Sequence, residues 1–335
     1  MRLIIYGAGA IGSLFGAYLA RAGNNMVLIG REAHVNQISR AGLKIVKSEG
    51  SFVISLPAVT KPSDIEYQPG DIIFLTTKSE DTEEAAAIMA KHAPRDIPFF
   101  CFQNGVRNEE TVSRNFTNVY GGVLFFSGTY LKPGEIAYTQ GERVGLGVYP
   151  YGINDTTQRV HEILKAAGFH TFLHQSIIAV KWSKLVINLG MAVNAITGLS
   201  GAEGMASKEC REFIADLTDE GVKVMQAAGI EFADEPGQPP ASERGARLRA
   251  MSDSTPDPSI PEEMKHRPST WQDIALKRGK TEVDFINGEV VELGKKLGIA
   301  APLNSLLLRV VKEMTKEGAP PGKYSIADLK EMLSD

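Results

Sequence analysis

The chain is short of the residue types that announce several classes of protein. Only two of its 335 residues are cysteine, Cys101 and Cys210. That excludes a disulfide scaffold and a four-cysteine zinc site. Both lie in apolar surroundings, so buried free thiols are expected, and the compartment reads as cytoplasmic. The six histidines (34, 92, 161, 170, 174 and 266) are scattered. His170 and His174 have helical spacing, but His-Thr-Phe-Leu-His alternates as a strand does, and no metal site is expected there. An excess of one charge is also lacking. Lys and Arg number 36 against 40 Asp and Glu, a net charge of −4, which gives no electrostatic case for nucleic acid or an anionic membrane as partner. No internal repeat is apparent. What remains, 43% hydrophobic and 23% charged, fits a soluble globular protein with room for two domains.

Charge is missing locally at one conspicuous place, Leu3 to Ala20. An uncharged run after Arg2 resembles a signal peptide or a membrane span. Four glycines (7, 9, 12 and 16) interrupt it, however, and a βαβ pattern follows, so neither is expected. Leu3-Ile4-Ile5-Tyr6 has the length of a buried parallel strand. It ends in Gly7, Gly9 and Gly12, spaced G-x-G-x-x-G, and Ile11, Leu14, Phe15, Tyr18 and Leu19 then recur at helical intervals. In the order strand, turn, helix, this spacing points to a dinucleotide. Gly7 permits the tight turn, Gly9 admits the pyrophosphate and Gly12 brings helix and strand together. The phosphates are expected on the free N–H groups of the first helical turn, so Gly7, Gly9, Ala10, Ile11 and Gly12 form the cradle. The competing reading is a structural glycine turn without a ligand.

Val27-Leu28-Ile29 reads as the next strand, followed by Gly30-Arg31. About 20 residues past a glycine turn an acidic residue holds the ribose of NAD. Arg31 stands here instead, and its planar fork suits the 2′-phosphate of NADP. Residues 43–59 read as an inserted hairpin around Ser48-Glu49-Gly50. Asp71 to Leu75 and Ile97 to Phe102 are further strands, ending in Thr76-Thr77-Lys78-Ser79 and Gln103-Asn104-Gly105. Open α/β sheets bind ligands beyond the carboxyl ends of their strands, so Gly7, Lys78 and Asn104 are expected to converge. Strands follow over 119–130, after the turn at 132–135 and over 144–148; a helix over 154–168 is capped by Asn154 or Asp155, and a last strand covers 171–173.

From about Ser176 the pattern is helical, placing a boundary near 175. One apolar helix, Ile177 to Leu199, carries Lys181, Lys184, Asn188 and Asn194; Lys184 and Asn188, four apart, share a face. A second helix covers 208–229. Residues 231–268, rich in Pro, Ser, Glu and Arg, read as a long connection or lid, with Arg244, Arg247 and Arg249 as a short helix face, read as solvated in preference to a phosphate clamp. Ser269-Thr270 is read as a cap, and helices follow over 285–297, 304–314 and 325–333.

These residues together resemble the ketopantoate reductase family. The resemblance covers nearly the whole chain. It rests on G-A-G-A-I-G-S with Arg31, T-K at 77–78, N-G at 104–105, K-W-S-K-L-V-I-N around Lys184, S-T-W-Q-D-I from Ser269 and T-E-V-D-F-I-N-G from Thr281. It implies an α/β chain: a Rossmann-type dinucleotide-binding domain over 1–175, followed by an all-helical substrate domain over 176–335. The implied reaction is NADPH-dependent reduction of a 2-oxo acid, ketopantoate, to a 2-hydroxy acid in pantothenate biosynthesis. Carried over by residue, Lys184 matches the catalytic lysine and Glu282 the active-site glutamate. Lys78 and Asn104 match positions lining the cleft for cofactor and substrate, and Asn188 and Ser269 match substrate positions. Members usually have a second asparagine four residues after Asn188, where this chain has Ala192. Asn194 is the next asparagine; on a continuous helix it points away from Lys184, and a bulge near Gly190 would restore it as a substrate residue. His266 stands where members often have asparagine, and one extra residue separates Asp273 from Glu282. Two alternatives stay open: a related dehydrogenase for another 2-oxo acid or an opine-like substrate, and an NADP(H)-binding sensor without turnover, which would not need Lys184 and Glu282. The large apolar helical half is compatible with a homodimer.

Overall fold

The computed structural model describes residues 1–334, less the side chain of Glu263. Its contacts divide the chain into two compact units, Met1–Val180 and Lys181 onward. The expected second domain ends at Asp335, which lies outside the described residues.

The first unit is built on one mixed sheet. Its elements are β1 (Leu3–Tyr6), α1 (Ala10–Arg21), β2 (Met26–Ile29), α2 (Glu32–Ala41), β3 (Leu43–Lys47), β4 (Gly50–Ile54), β5 (Ala58–Val59), β6 (Ile72–Leu75), α3 (Thr82–Met89), β7 (Phe99–Cys101), α4 (Asn108–Ser113), β8 (Val119–Lys132), β9 (Glu135–Val148), α5 (Asp155–Ala166) and β10 (His170–Leu173). The order is β4-β3-β9-β8-β7-β6-β1-β2-β5, with β10 beside β9. β1 pairs in parallel with β2 on one side and β6 on the other. The chain therefore reverses its direction across the sheet at β1, the kind of switch point where open sheets leave a crevice.

Successive strand residues face opposite layers. Leu3 and Ile5 join a core with Leu14 and Phe15 of α1 and Val160 and Leu164 of α5. Ile4 joins another core with Ala85, Ala86 and Met89 of α3 and Val112 of α4. Helices thus cover both faces, as expected of an α/β fold. Phe15 centres the first core: its ring lies 4.8–5.7 Å from those of Phe74, Phe102, Phe126 and Phe169. Asn154 is the cap of α5, accepting from the N–H groups of Thr156 and Thr157. The run read at first glance as a possible membrane span is thus β1, a turn and α1.

Two strand expectations change. The inserted hairpin is only β3 and β4, paired antiparallel; Ala58–Val59 leaves it and pairs in parallel with β2. There Pro57 and Val59 accept from the N–H groups of Leu28 and Gly30, donors that an edge strand would leave unpaired. After the turn at Gly134, whose φ of +76° suits glycine, two expected strands are one, β9, running antiparallel to β8 along its length.

α6 (Ile177–Asn188) begins in the first unit and carries Lys181 to Asn188 into the second. The rest is helical: α7 (Met191–Thr197), α8 (Gly201–Ala206), α9 (Lys208–Ala227), α10 (Arg244–Ala250), α11 (Ser269–Ala275), α12 (Asn287–Leu297), α13 (Pro302–Glu317) and α14 (Ile326–Ser334). The stretch Ile177–Thr197 is long and apolar enough to cross a membrane by length and composition, and 78% of its most apolar window is buried in the protein. The expected single helix there is two. Asn287 Nδ2 takes the Leu189 carbonyl at 3.2 Å, and a Cβ on Gly190 would lie 2.9 Å from Ile214 of α9. The break lets α9 pack against the chain where an unbroken helix with a side chain at 190 would stand off.

Three further points concern the helices. α8, not anticipated, is closed by a reciprocal cap of Ser200 and Glu203. The short helix face expected at Arg244, Arg247 and Arg249 is α10, fastened to α9 by Arg249, with Arg244 half-buried rather than solvated. Pro268 occupies the cap position of α11 and Ser269 its first turn. Both expected thiols, Cys101 and Cys210, are buried and free; burial pushes Cys210 up to about 11.

Candidate active site

The glycine turn shows three different requirements. Gly7 has φ +114°, and a Cβ there would fall 2.6 Å from the Thr77 backbone nitrogen. Gly12 lies over the turn, where a Cβ would meet the Gly7 carbonyl oxygen at 2.3 Å. Both must be glycine for the chain to close. Gly9 is different: its Cβ position meets only the Gly7 oxygen at 4.0 Å. Gly9 is the cap residue of α1, and the first intrahelical bond runs from Ser13 N–H to its carbonyl. The N–H groups of Ala10, Ile11 and Gly12 precede that bond and stand at the positive end of the helix. A bare backbone, open space over Gly9 and first-turn donors are what a pyrophosphate requires.

The neighbouring strand ends are tied to this turn. Gly7 and Ala8 N–H groups donate to the Ile29 carbonyl at 3.1 and 2.9 Å. Gly30 packs on Ala8, where a Cβ would lie 2.6 Å from the alanine methyl. That leaves Arg31, exposed, as the cap residue of α2 beside the turn. Thr76 Oγ1 donates to the Gly7 carbonyl at 2.9 Å, a link the sequence reading passed over, although a threonine just after a strand can bind backbone in this way. Ser79 Oγ and Asn108 Nδ2 both donate to the Asn104 carbonyl at 2.7 Å, which brings the segment carrying Lys78 to the segment carrying Asn104. Thr82 Oγ1, bonded to Gln103 Nε2 at 3.0 Å and Asn108 Oδ1 at 2.8 Å, completes the buried support. Gly7, Lys78 and Asn104 thus end three adjacent parallel strands.

In the second unit, Lys184 is half-buried and Asn188 buried, both on α6. Glu282 is buried in the single turn before α12. Ser269 Oγ donates to Glu282 Oε2 at 3.3 Å, joining the starts of two elements. His266 belongs to the same neighbourhood: burial brings its imidazole down to about 4, and the charge of Lys184 pushes the same way. Its strand of chain is strapped to the α7–α8 turn. Gly201 N–H donates to the His266 carbonyl at 3.1 Å, Arg267 Nη1 donates to the Gly198 carbonyl at 2.8 Å, and Lys265 pairs with Glu203 at 3.1 Å. A Cβ on Gly201 would lie 3.0 Å from the imidazole. Sequence reading marked His266 only as a departure; its nearness to Lys184 needs this strap. Asn194 sits elsewhere on its turn, buried, its Nδ2 donating to the carbonyls of Leu199 at 3.2 Å and Ser200 at 3.1 Å.

A sheet unit with a glycine turn at its switch point, followed by a helical unit with a lysine, a serine and a buried glutamate, defines a class, the two-part α/β oxidoreductases. The sequence model described as ketopantoate reductase PanE/ApbA matches residues 3–151, and the model for that family's C-terminal part matches residues 176–315. The chain belongs to the ketopantoate reductase family. It is 32% identical over 316 residues to a 2-dehydropantoate 2-reductase of Pyrococcus horikoshii, covering 93% of this chain and 97% of the relative. The corresponding enzyme of Archaeoglobus fulgidus is 29% identical over 314 residues, with the same coverage. Among solved structures, a PanE/ApbA family ketopantoate reductase from Ralstonia eutropha superposes with TM-score 0.79 at 27% identity, covering 95% of this chain and 99% of that one. A D-mandelate dehydrogenase in ternary complex with NADH and anilino(oxo)acetate superposes with TM-score 0.80 at 26% identity and the same coverage.

Proposed function

We propose that this chain is an NADPH-dependent 2-oxo acid reductase that converts 2-dehydropantoate to pantoate. The observation that carries the reading is the second-unit constellation. Ser269 bonds to buried Glu282, and the charge of Lys184 bears on His266, so residues from separate elements meet with the right chemistry.

The cofactor fits the first unit. Gly7, Gly9, Ala10, Ile11 and Gly12 would hold the pyrophosphate, Arg31 the 2′-phosphate, and Lys78 and Asn104 the adjoining part of the ligand. Bound there, NADPH supplies the hydride. Reduction of a ketone builds negative charge on its oxygen. Lys184 stabilises that charge and gives up the proton that completes the hydroxyl. Glu282 orients the lysine and, through Ser269, the substrate's carboxylate end. Asn104 and Asn188 bind the substrate's polar groups. Asn194 has its amide nitrogen on two carbonyls, so its Oδ1 is the atom with which it would accept from a substrate hydroxyl.

A second reading, a dehydrogenase for another 2-oxo acid, is favoured by His266 in place of the usual asparagine and by the likeness to D-mandelate dehydrogenase, whose complex holds NADH and a different oxo acid. One assay separates them: purified protein with NADPH or NADH and a panel of 2-oxo acids, followed at the nicotinamide absorbance. The first reading expects 2-dehydropantoate with NADPH to be turned over far above the rest; turnover of another acid supports the second. Binding without turnover of any acid would leave only a sensor. Arg31→Ala is expected to weaken NADPH more than NADH; an equal loss for both would remove the case for NADP.

A further inference from the structure

Arg244 opens α10, and no carboxylate among the described residues pairs with it. The cations near it in sequence are matched. Arg249 holds Asp216 and Asp219, each at 2.6 Å. Arg247 donates to the Pro240 carbonyl at 2.5 Å. Arg211 and Arg267 also have carboxylate partners. Among the described residues Arg244 makes no hydrogen bond and no ion pair, and its Nε is sealed from solvent. Burial and the like charge of Arg247, one turn along, both press its guanidinium below the ordinary value. The helix cannot swing to relieve it. Gly245 sits so close on α9 that a Cβ there would fall 1.9 Å from Asp219 Oδ1, and Arg249 fastens the other end. The side chain is half-buried: its Nε is cut off from water without an acceptor, which is unfavourable, while the outer nitrogens still face solvent. Its planar fork of donors matches the paired oxygens of a carboxylate or phosphate. A fixed helix, an enclosed Nε and a second arginine alongside suit the recognition of an anion.

We propose that Arg244, with Arg247 beside it, forms a binding site for an oxyanion, a carboxylate or a phosphate group. Such a group has three sources: free phosphate, the carboxylate of a 2-oxo acid, or a phosphate of the dinucleotide. The last two rest on the proposed function; the first does not.

The test is a thermal melt of the full chain as inorganic phosphate replaces chloride at constant ionic strength, with NADPH affinity and 2-oxo acid KM measured alongside. Phosphate should raise the wild-type midpoint by several degrees. Arg244→Gln should abolish that rise, and Arg244→Lys, which keeps the charge but loses the fork, should weaken the apparent phosphate affinity at least about tenfold. A tenfold rise in 2-oxo acid KM in Arg244→Gln with unchanged NADPH affinity assigns the site to the substrate carboxylate. The reverse pattern assigns it to the cofactor, and no change in either assigns it to free phosphate. The phosphate arm needs no turnover, so it stands if the reductase reading fails. Equal responses of wild type and Arg244→Gln would overturn the proposal, as would no wild-type response together with unchanged KM and NADPH affinity. Arg244→Met is the alternative if the glutamine variant does not fold; failure of every variant to fold would show Arg244 to be structural and also overturn it.

Discussion

At the scale of single residues, the glycine turn separates structural need from ligand need. Gly12→Ala would push a methyl against the backbone oxygen of Gly7, which cannot give way as a side chain can. We expect a loss of about 2–3 kcal/mol, read as a lower denaturation midpoint. Gly9→Ala meets no such obstacle, so its midpoint should stay near wild type while NADPH affinity falls, because the methyl takes space meant for the pyrophosphate. A Gly9→Ala protein that binds NADPH normally would remove Gly9 from the cradle. Lys184→Ala should lower turnover by about two orders of magnitude or more, the scale of a lost proton donor, with the fold retained because Lys184 is only half-buried; near-normal turnover would remove its catalytic role. Lys184 was singled out by the resemblance of K-W-S-K-L-V-I-N to the family, whereas the turn was legible because it rests on local spacing. The surroundings of Asn194 were not: the helix break before it depends on Asn287 and Ile214, and neither is near it in sequence.

Elements are held to one another here by buried polar links that periodicity does not reveal. His34 of α2 is the clearest. Gly134 N–H, in the turn between β8 and β9, donates to its Nδ1 at 2.9 Å, so the proton of the neutral ring sits on Nε2, 2.9 Å from Ser13 Oγ of α1. Burial lowers the imidazole from 6.5 to about 4, and a second proton would set two donors face to face at Nδ1. Between about pH 6.5 and 4 the unfolded chain therefore binds more protons at this residue than the folded one. Its contribution is fully present above 6.5 and is lost as pH falls through 4, about 3 kcal/mol at 1.36 kcal/mol per pH unit. Thermal midpoints measured across that window should fall with pH, and His34→Gln should fall less steeply despite a lower midpoint at pH 7. Parallel slopes would mean that His34 does not report acid. Sequence patterns found nearly every strand of this unit. They missed that β5 changes edge, because that depends on which strand would otherwise be left unpaired.

For the whole molecule, the change from mixed to helical pattern near 175 and the contact division after Val180 lead us to propose two domains with different tasks. Each has its own core. In the first, Phe15 gathers four aromatic rings against the sheet. In the second, a chain of buried amides holds the helices: Asn287 Nδ2 reaches Asn304 Oδ1 at 3.0 Å, and Asn304 Nδ2 reaches Glu220 at 2.8 Å. Glu220 in turn accepts from the N–H groups of Leu303 and Asn304 at the start of α13. If the cradle belongs to the first domain alone, NADPH stabilises that domain directly. At a free concentration about a hundred times its Kd, the gain is about 2.7 kcal/mol. Calorimetry should then resolve two transitions, one raised by NADPH and abolished as a response by Gly9→Ala, the other carrying the loss caused by Asn304→Ala, which leaves the Glu220 carboxylate and Leu217 carbonyl without their amide donor. Should Asn304→Ala lower the NADPH-sensitive transition as much as the other, the two cores would not be independent, and the division of labour between them would have to be abandoned.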